Sequence, residues 1–224
     1  MEKHTENAEK PSQKAPFVVG VGSSAGGIEA LIGLVSGLPD DLNASLIVAQ
    51  HLSPSHKSQM ADILSRETTF PVKEISHGMV VEKNTVYVGP PGHHILYRNG
   101  TLHLEKEPAE IAPKPAVNLL FESLADELGD HAIGVVLSGT GNDGSRGLKA
   151  IKSVGGFALV QDPRSSKYDG MPQSALETVD VDKILEPEDI GQEIAHISQN
   201  FARSFFPPSE EARAELMSAL YTKI

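Results

Sequence analysis

Three polar residues with chemistry to offer follow apolar runs. Ser24 sits in Gly22-Ser23-Ser24-Ala25-Gly26, just after the run from Phe17 to Val21. His51 follows Ser45-Leu46-Ile47-Val48-Ala49-Gln50. Asp143 lies in Ser138-Gly139-Thr140-Gly141-Asn142-Asp143-Gly144, after the run from Ala132 to Leu137. A serine hydroxyl is a weak nucleophile. It attacks a carbonyl only when a base takes its proton, and a histidine base needs an acid to orient it. Ser24, His51 and Asp143 would supply that set. The pentapeptide is also G-x-S-x-G, the sharp strand-to-helix turn that lifts a serine above the edge of a sheet.

The same residues carry plainer meanings. Gly20, Gly22 and Ala25 match the dinucleotide spacing G-x-G-x-x-G/A. That site expects an acid at the end of the second strand to bind the ribose. Here the second apolar run ends in Gln50 and His51, while Asp40 and Asp41 precede it, at the wrong edge of a sheet. No Gly-Lys-Ser/Thr is present, so a Walker loop is excluded. A short Gly/Ser turn often only caps a helix. An aspartate in Gly-Asn-Asp-Gly often forms a turn or an N-cap. Ser23 and Ser138 compete with Ser24, although Ser24 is the central residue of the elbow. Asp162 competes with Asp143, but Asp-Pro is a common turn initiator. The pairs His93-His94 and His51…His56 lack helical i, i+4 spacing and nearby acids, so no metal and no cofactor are expected.

These side chains can meet only if particular elements carry them to one place. The 224 residues suffice for one large domain. Hydrophobic residues make up 39% and aromatics only 5%, so the core must be mostly Val, Ile, Leu and Ala, which suits a sheet covered by helices. The run from Phe17 to Val21 reads as a buried strand and Gly27 to Val35 as a helix. Ser45 to Ala49 is a second strand, Ala132 to Leu137 a third and Phe157 to Val160 a fourth. Helices are expected at Ser58 to Leu64, Ala116 to Leu128, Ser145 to Val154, Pro172 to Thr178 with Pro172 as its first residue, and Pro187 to about Ser198. Short strands are expected at Val72 to Ile75, Thr85 to Val88, His94 to Tyr97, Thr101 to Leu104 and Lys183 to Leu185. Asn99-Gly100 marks a hairpin, and the middle portion is read as antiparallel. The fold class is therefore α/β: a doubly wound, mainly parallel sheet with an antiparallel hairpin insertion. Strand carboxyl ends share one edge in such a sheet. Ser24, His51 and Asp143 then emerge on one rim, provided the first strand lies between the second and third.

Residues 1–16 read as a disordered leader, 17–200 as the catalytic domain and 201–224 as an acidic helical tail or linker, with Lys106 to Pro115 a flexible flap. The net charge of −11 argues against a nucleic-acid partner. There is no Cys, which excludes disulfides and thiol catalysis. No run approaches the ~18 apolar residues of a membrane span, and the polar N-terminus lacks a signal-peptide core, so a soluble, cytoplasmic protein is expected.

With GSSAGG at 22–27, AQHLSP at 49–54, GVVLSGTGNDG at 134–144 and DGMP at 169–172, the chain resembles the catalytic domain of CheB-type protein-glutamate methylesterases of bacterial chemotaxis. The resemblance covers about Phe17 to Asn200. It implies Ser24 as nucleophile, His51 as general base and then acid, and Asp143 as the residue orienting His51. Ala25, Gly26 and Thr140 would surround the oxyanion, with a backbone N–H near Thr140 helping to hold it. The family often has threonine where Ala25 stands. The implied substrates are the methylated cytoplasmic helices of transmembrane chemoreceptors, and glutamine side-chain amides are a second implied substrate. The best-known members carry an N-terminal receiver domain, and 16 residues before the first strand leave no room for one, so no receiver gating within this chain is expected. The motif wording is most similar to methylesterase domains fused ahead of a CheR-type methyltransferase, which implies such an enzyme as a linked or separate partner. Two alternatives stand beside the esterase: an inactive interaction domain of the same fold, and a nucleotide-binding protein. Lys57, Arg146 and Lys149 are candidate basic residues near the rim.

Overall fold

The computed structural model of the chain describes residues 17–51, 59–106 and 116–205. The expected leader, residues 206–224 of the acidic tail, the flap from 107 to 115, His56 and Lys57 lie outside them.

Strand β1 (Phe17–Ser23) is buried along its whole length, and its residues alternate between two cores. Val19 and Val21 pack with Leu31 and Leu34 of α1 (Gly27–Ser36) and with Ile190 and Ile194 of α6 (Pro187–Phe205). Val18 belongs to the other core. That core holds Phe121 and Leu124 of α3 (Val117–Leu128), Leu148 and Ile151 of α4 (Ser145–Ser153), and Met171 of α5 (Gly170–Thr178). Burying each such side chain contributes about 1.5–3 kcal/mol.

Gly20 and Gly22 face the same way as Val18, and their lack of a side chain has a packing cause. A Cβ on Gly20 would lie 2.8 Å from both Leu124 and Phe121, and one on Gly22 would collide with Val117. Helix α3 presses directly on the strand there. The two glycines that suggested a phosphate loop make room for that helix.

The remaining strands are β2 (Ala44–Gln50), β3 (Val72–Glu74), β4 (Met79–Val80), β5 (Val86–Val88), β6 (His94–Arg98), β7 (Thr101–Glu105), β8 (Ala132–Val136), β9 (Phe157–Gln161) and β10 (Lys183–Leu185). Among the described residues, seven strands form one sheet in the order β10-β9-β8-β1-β2-β5-β3. Each pairing in it is parallel. The order puts β1 between β2 and β8, as a shared rim requires. A second sheet, β4-β7-β6, is antiparallel. Its β6–β7 hairpin turns on Asn99 and Gly100 at φ 50° and 76°, and docks on α3. There the Tyr97 N–H donates to Ser123 Oγ at 2.9 Å and the Asn99 N–H to Glu127 Oε2 at 3.0 Å.

Four expectations need correction. The middle portion is only partly antiparallel: β3 and β5 join the large sheet in parallel. The reason is burial, since Val86, Tyr87 and Val88 are enclosed on both faces between β2 and β3. Pro172 is the third residue of α5, a position in the first turn where its missing N–H still costs nothing. Helix α6 continues past Ser198 to Phe205. The five-residue α2 (Met60–Leu64) sits where a longer helix from Ser58 was expected.

Candidate active site

The sheet register explains how Ser24 and His51 meet. Ser23 on β1 is paired with Gln50 on β2. Neighbouring strands run about 4.8 Å apart with side chains in step, so the next residues, Ser24 and His51, come side by side where both strands end. The ladder continues one bond further on each side of β1. The His51 N–H donates to the Ser23 carbonyl at 3.1 Å, and the Ser24 N–H donates to the Ser138 carbonyl, beyond β8, at 3.0 Å. The elbow is therefore pinned from both neighbours.

Nδ1 of His51 lies 3.1 Å from Ser24 Oγ, and Nε2 lies 3.0 Å from Asp143 Oδ2. With its proton on Nε2, the ring donates to Asp143 and offers the Nδ1 lone pair to the serine O–H. The ring thus presents the nitrogen opposite to the one that faces serine in the chymotrypsin arrangement. The side chains of His51 and Asp143 are only 12% and 15% exposed.

Asp143 also does what the plainer reading suggested, but for a distant helix. Oδ2 accepts the Val117 N–H at 2.8 Å, and Oδ1 accepts the Asn118 N–H at 3.0 Å and the Gly144 N–H at 2.9 Å. It caps the first turn of α3, whose N-cap residue Ala116 has no side-chain acceptor. In return Asn118 Oδ1 accepts from Gly144 and Gly147, at 3.1 and 2.8 Å, at the start of α4. Burial works to raise the Asp143 pKa. The hydrogen bonds from His51, Asn118 and Val117 outweigh it and hold the carboxyl below its ordinary range.

Beside Ser24, Gly26 is the N-cap of α1 at φ 70°. Gly27 N–H donates to the Ser24 carbonyl at 3.0 Å. Among the described residues, the N–H groups of Ala25 and Thr140 have no acceptor, and Thr140 is exposed on the loop after β8. Gly139 lets that loop close on the elbow, since a Cβ there would lie 2.9 Å from Ser24 Cβ and collide with Met171.

The competing residues have other partners. Ser23 is fully buried and donates to Gln50 Oε1. Ser138 is fully buried, with Oγ 2.9 Å from the Ala25 carbonyl and accepting the Tyr168 N–H at 3.0 Å. Asp162 binds Arg164, whose side-chain hydrogen bond is the main cause of its lowered pKa. His93 Nδ1 lies 3.0 Å from the Pro91 carbonyl, and His94 Nδ1 accepts the Ala116 N–H at 3.1 Å. Arg146 is paired with Glu122.

Sequence reasoning passed over Gln50, Asn118 and Lys167. The signal for Gln50 was a polar residue closing an otherwise apolar strand. Asn118 looked like any helix residue. Lys167 crosses over Gly26 and pairs with Glu29 on α1 at 3.2 Å.

The family model described as CheB methylesterase matches residues 19–194. This chain belongs to the CheB methylesterase family. The crystal structure of the Thermotoga maritima CheB methylesterase catalytic domain superposes with a TM-score of 0.76 at 29% identity, covering 81% of this chain and 98% of that one. An Anaeromyxobacter dehalogenans relative, named protein-glutamate methylesterase/protein-glutamine glutaminase 2, is 34% identical, covering 81% of this chain and 53% of its own length. A relative from Pyrococcus horikoshii, named protein-glutamate methylesterase/protein-glutamine glutaminase, is 33% identical and covered over 51% of its length. A relative from Leptospira interrogans is 33% identical, and the match covers 94% of it. The chain thus spans about half the length of the first and second of these relatives and nearly all of the third. Among the described residues no helix is long and apolar enough to cross a membrane.

Proposed function

We propose that this member of the CheB methylesterase family is a serine hydrolase that removes methyl groups from glutamate γ-methyl esters on the cytoplasmic helices of chemoreceptors. The observation that carries the reading is the hydrogen-bonded chain Ser24–His51–Asp143 at the carboxyl edge of the parallel strands.

Ser24 Oγ attacks the ester carbonyl carbon while Nδ1 of His51 takes its proton. The imidazolium that forms is held by the Asp143 carboxylate. The tetrahedral oxyanion forms near the N–H groups of Ala25 and Thr140 and the positive end of α1, which favour developing negative charge. On collapse the carbon–OCH₃ bond breaks, and His51 returns the proton to the departing methoxide as methanol. Water, activated by the same imidazole, then hydrolyses the acyl-Ser24 ester and frees the glutamate. A glutamine amide would follow the same route with ammonia as leaving group, as the relatives' double name suggests. The reading places the protein in the cytoplasm, with residues 17–200 as the catalytic unit and 201–224 as an acidic helical tail or linker. A CheR-type methyltransferase, linked or separate, would supply the esters.

Methanol release from a methylated receptor fragment tests this. Ser24→Ala should lower kcat by about 10³-fold or more while leaving the fold intact. Equal release by wild type and variant would refute catalysis and favour an interaction domain of the same fold.

A further inference from the structure

Gln50 closes β2 beside His51 and is only 4% exposed. Its side chain crosses to β1 and holds the elbow by both ends of its amide. Oε1 accepts the Ser23 hydroxyl, while Nε2 donates to the Ser24 carbonyl at 2.7 Å and approaches the His51 carbonyl at 3.5 Å. The chain makes room for this amide. A Cβ on Gly27 would lie 2.5 Å from Gln50 Oε1 and 2.7 Å from Ser23 Cβ, so the last glycine of GSSAGG clears the space it occupies.

The consequence follows from peptide geometry. In a planar trans peptide the N–H points opposite to the C=O. The Ser24 carbonyl is drawn toward Gln50 Nε2 and the Gly27 N–H, so the N–H of the same peptide, that of Ala25, points away from both. No described residue accepts from it. The nucleophile's own N–H cannot serve an oxyanion, because it is committed to the Ser138 carbonyl at 3.0 Å.

We infer that Gln50 is a positioning residue: it fixes the Ser24–Ala25 peptide plane and so aims the Ala25 N–H at the oxyanion of the acyl-transfer step. The inference rests on the esterase reading above. A contact that matters only to the oxyanion stabilises the transition state more than the bound ester. Loss of Gln50 therefore lowers kcat and leaves KM nearly alone.

The test compares full-length wild type, Ser24→Ala, Gln50→Met and Gln50→Glu in the methanol-release assay. An inactive wild type, or an active Ser24→Ala, overturns the esterase reading itself. With that control in place, Gln50→Met should lower kcat about 10- to 100-fold, less than the ~10²–10³ lost when an oxyanion donor is removed outright. Its KM should stay within about twofold. Gln50→Glu adds a readout that loss of packing would not give. A buried carboxyl facing a carbonyl oxygen favours its neutral form, and the neutral form can donate its O–H to the Ser24 carbonyl as the amide does. The ionised form repels it. The kcat of Gln50→Glu, divided by that of wild type, should fall as pH rises, while the same ratio for Gln50→Met stays level. A normal kcat in Gln50→Met, a loss carried by KM, or a level ratio for Gln50→Glu overturns the inference. If Gln50→Met loses its cooperative unfolding transition, the pH slope of Gln50→Glu decides alone.

Discussion

Replacing Asp143 by asparagine should damage catalysis and stability together, because one carboxylate serves both. Oδ2 receives His51 Nε2 and the Val117 N–H, and Oδ1 receives the N–H groups of Asn118 and Gly144. All four partners are donors when the ring proton is on Nε2. An asparagine amide has one acceptor oxygen and one NH₂, so either way round it turns a donor toward two donors. With the NH₂ toward His51, the amide donates to Nε2 and forces the ring proton onto Nδ1, where it blocks acceptance from Ser24. With the NH₂ toward Asn118 and Gly144, the ring is spared but the starts of α3 and α4 lose their shared acceptor. A hydrogen bond to a charged group is worth about 1.5–3 kcal/mol, and the site is not wholly dry, so losing two should cost about 3 kcal/mol. At about 2–4 °C per kcal/mol for a domain of this size, Tm should fall by about 6–12 °C. The kcat for methanol release should fall by up to about 10⁴-fold, as expected when the ring is held in the wrong tautomer. Thermal unfolding followed by circular dichroism and the methanol assay on the same preparation read the two losses separately. A variant with wild-type Tm and kcat would refute the argument. A large loss of kcat with Tm unchanged within about 1 °C would refute the capping half of it.

Two further outcomes follow from the same geometry. The Asp143 pKa is depressed in the folded chain, so its contribution to stability is fully present above its unfolded value of about 3.9 and is lost as pH falls through the lower folded value. Urea midpoints of wild type and Asp143→Asn should therefore converge as pH is lowered from about 5 toward 2, and a gap that stays constant would contradict the assignment. Gly139→Ala puts a Cβ 2.9 Å from that of Ser24 and against Met171. It should cost about 1–3 kcal/mol of stability and lower kcat more than KM changes, and a variant with normal turnover would show that the loop after β8 does not hold Ser24 in place.

Much of the fold was legible from apolar runs and punctuation. β8 coincides with its expected strand and α1 with its helix to within a residue, because a run enclosed on both faces must be apolar throughout and α1 is bounded by Gly26 and Gly37. The hairpin was legible because few residue pairs accept positive φ twice, and Asn99-Gly100 is one. The middle portion misled because three-residue strands carry too little pattern to show which sheet they join. β5 is placed by burial against β2 and β3 by pairing with β5, and neither is a local property.

For the site, the sequence by itself determined which side chains could do the chemistry: a serine in a glycine elbow, a histidine where a ribose acid would stand, and an aspartate in a tight loop. It also made their meeting conditional on one strand order. Only the tertiary structure decided the order, the one-residue step from the Ser23–Gln50 pair to Ser24 and His51, and what each glycine is for. Gly20 and Gly22 yield to α3, Gly27 to the Gln50 amide and Gly139 to Ser24 itself. Motif spacing could not separate these causes, because a glycine records only that something comes close. What comes close arrives from residues more than twenty positions away, and its identity is set by packing.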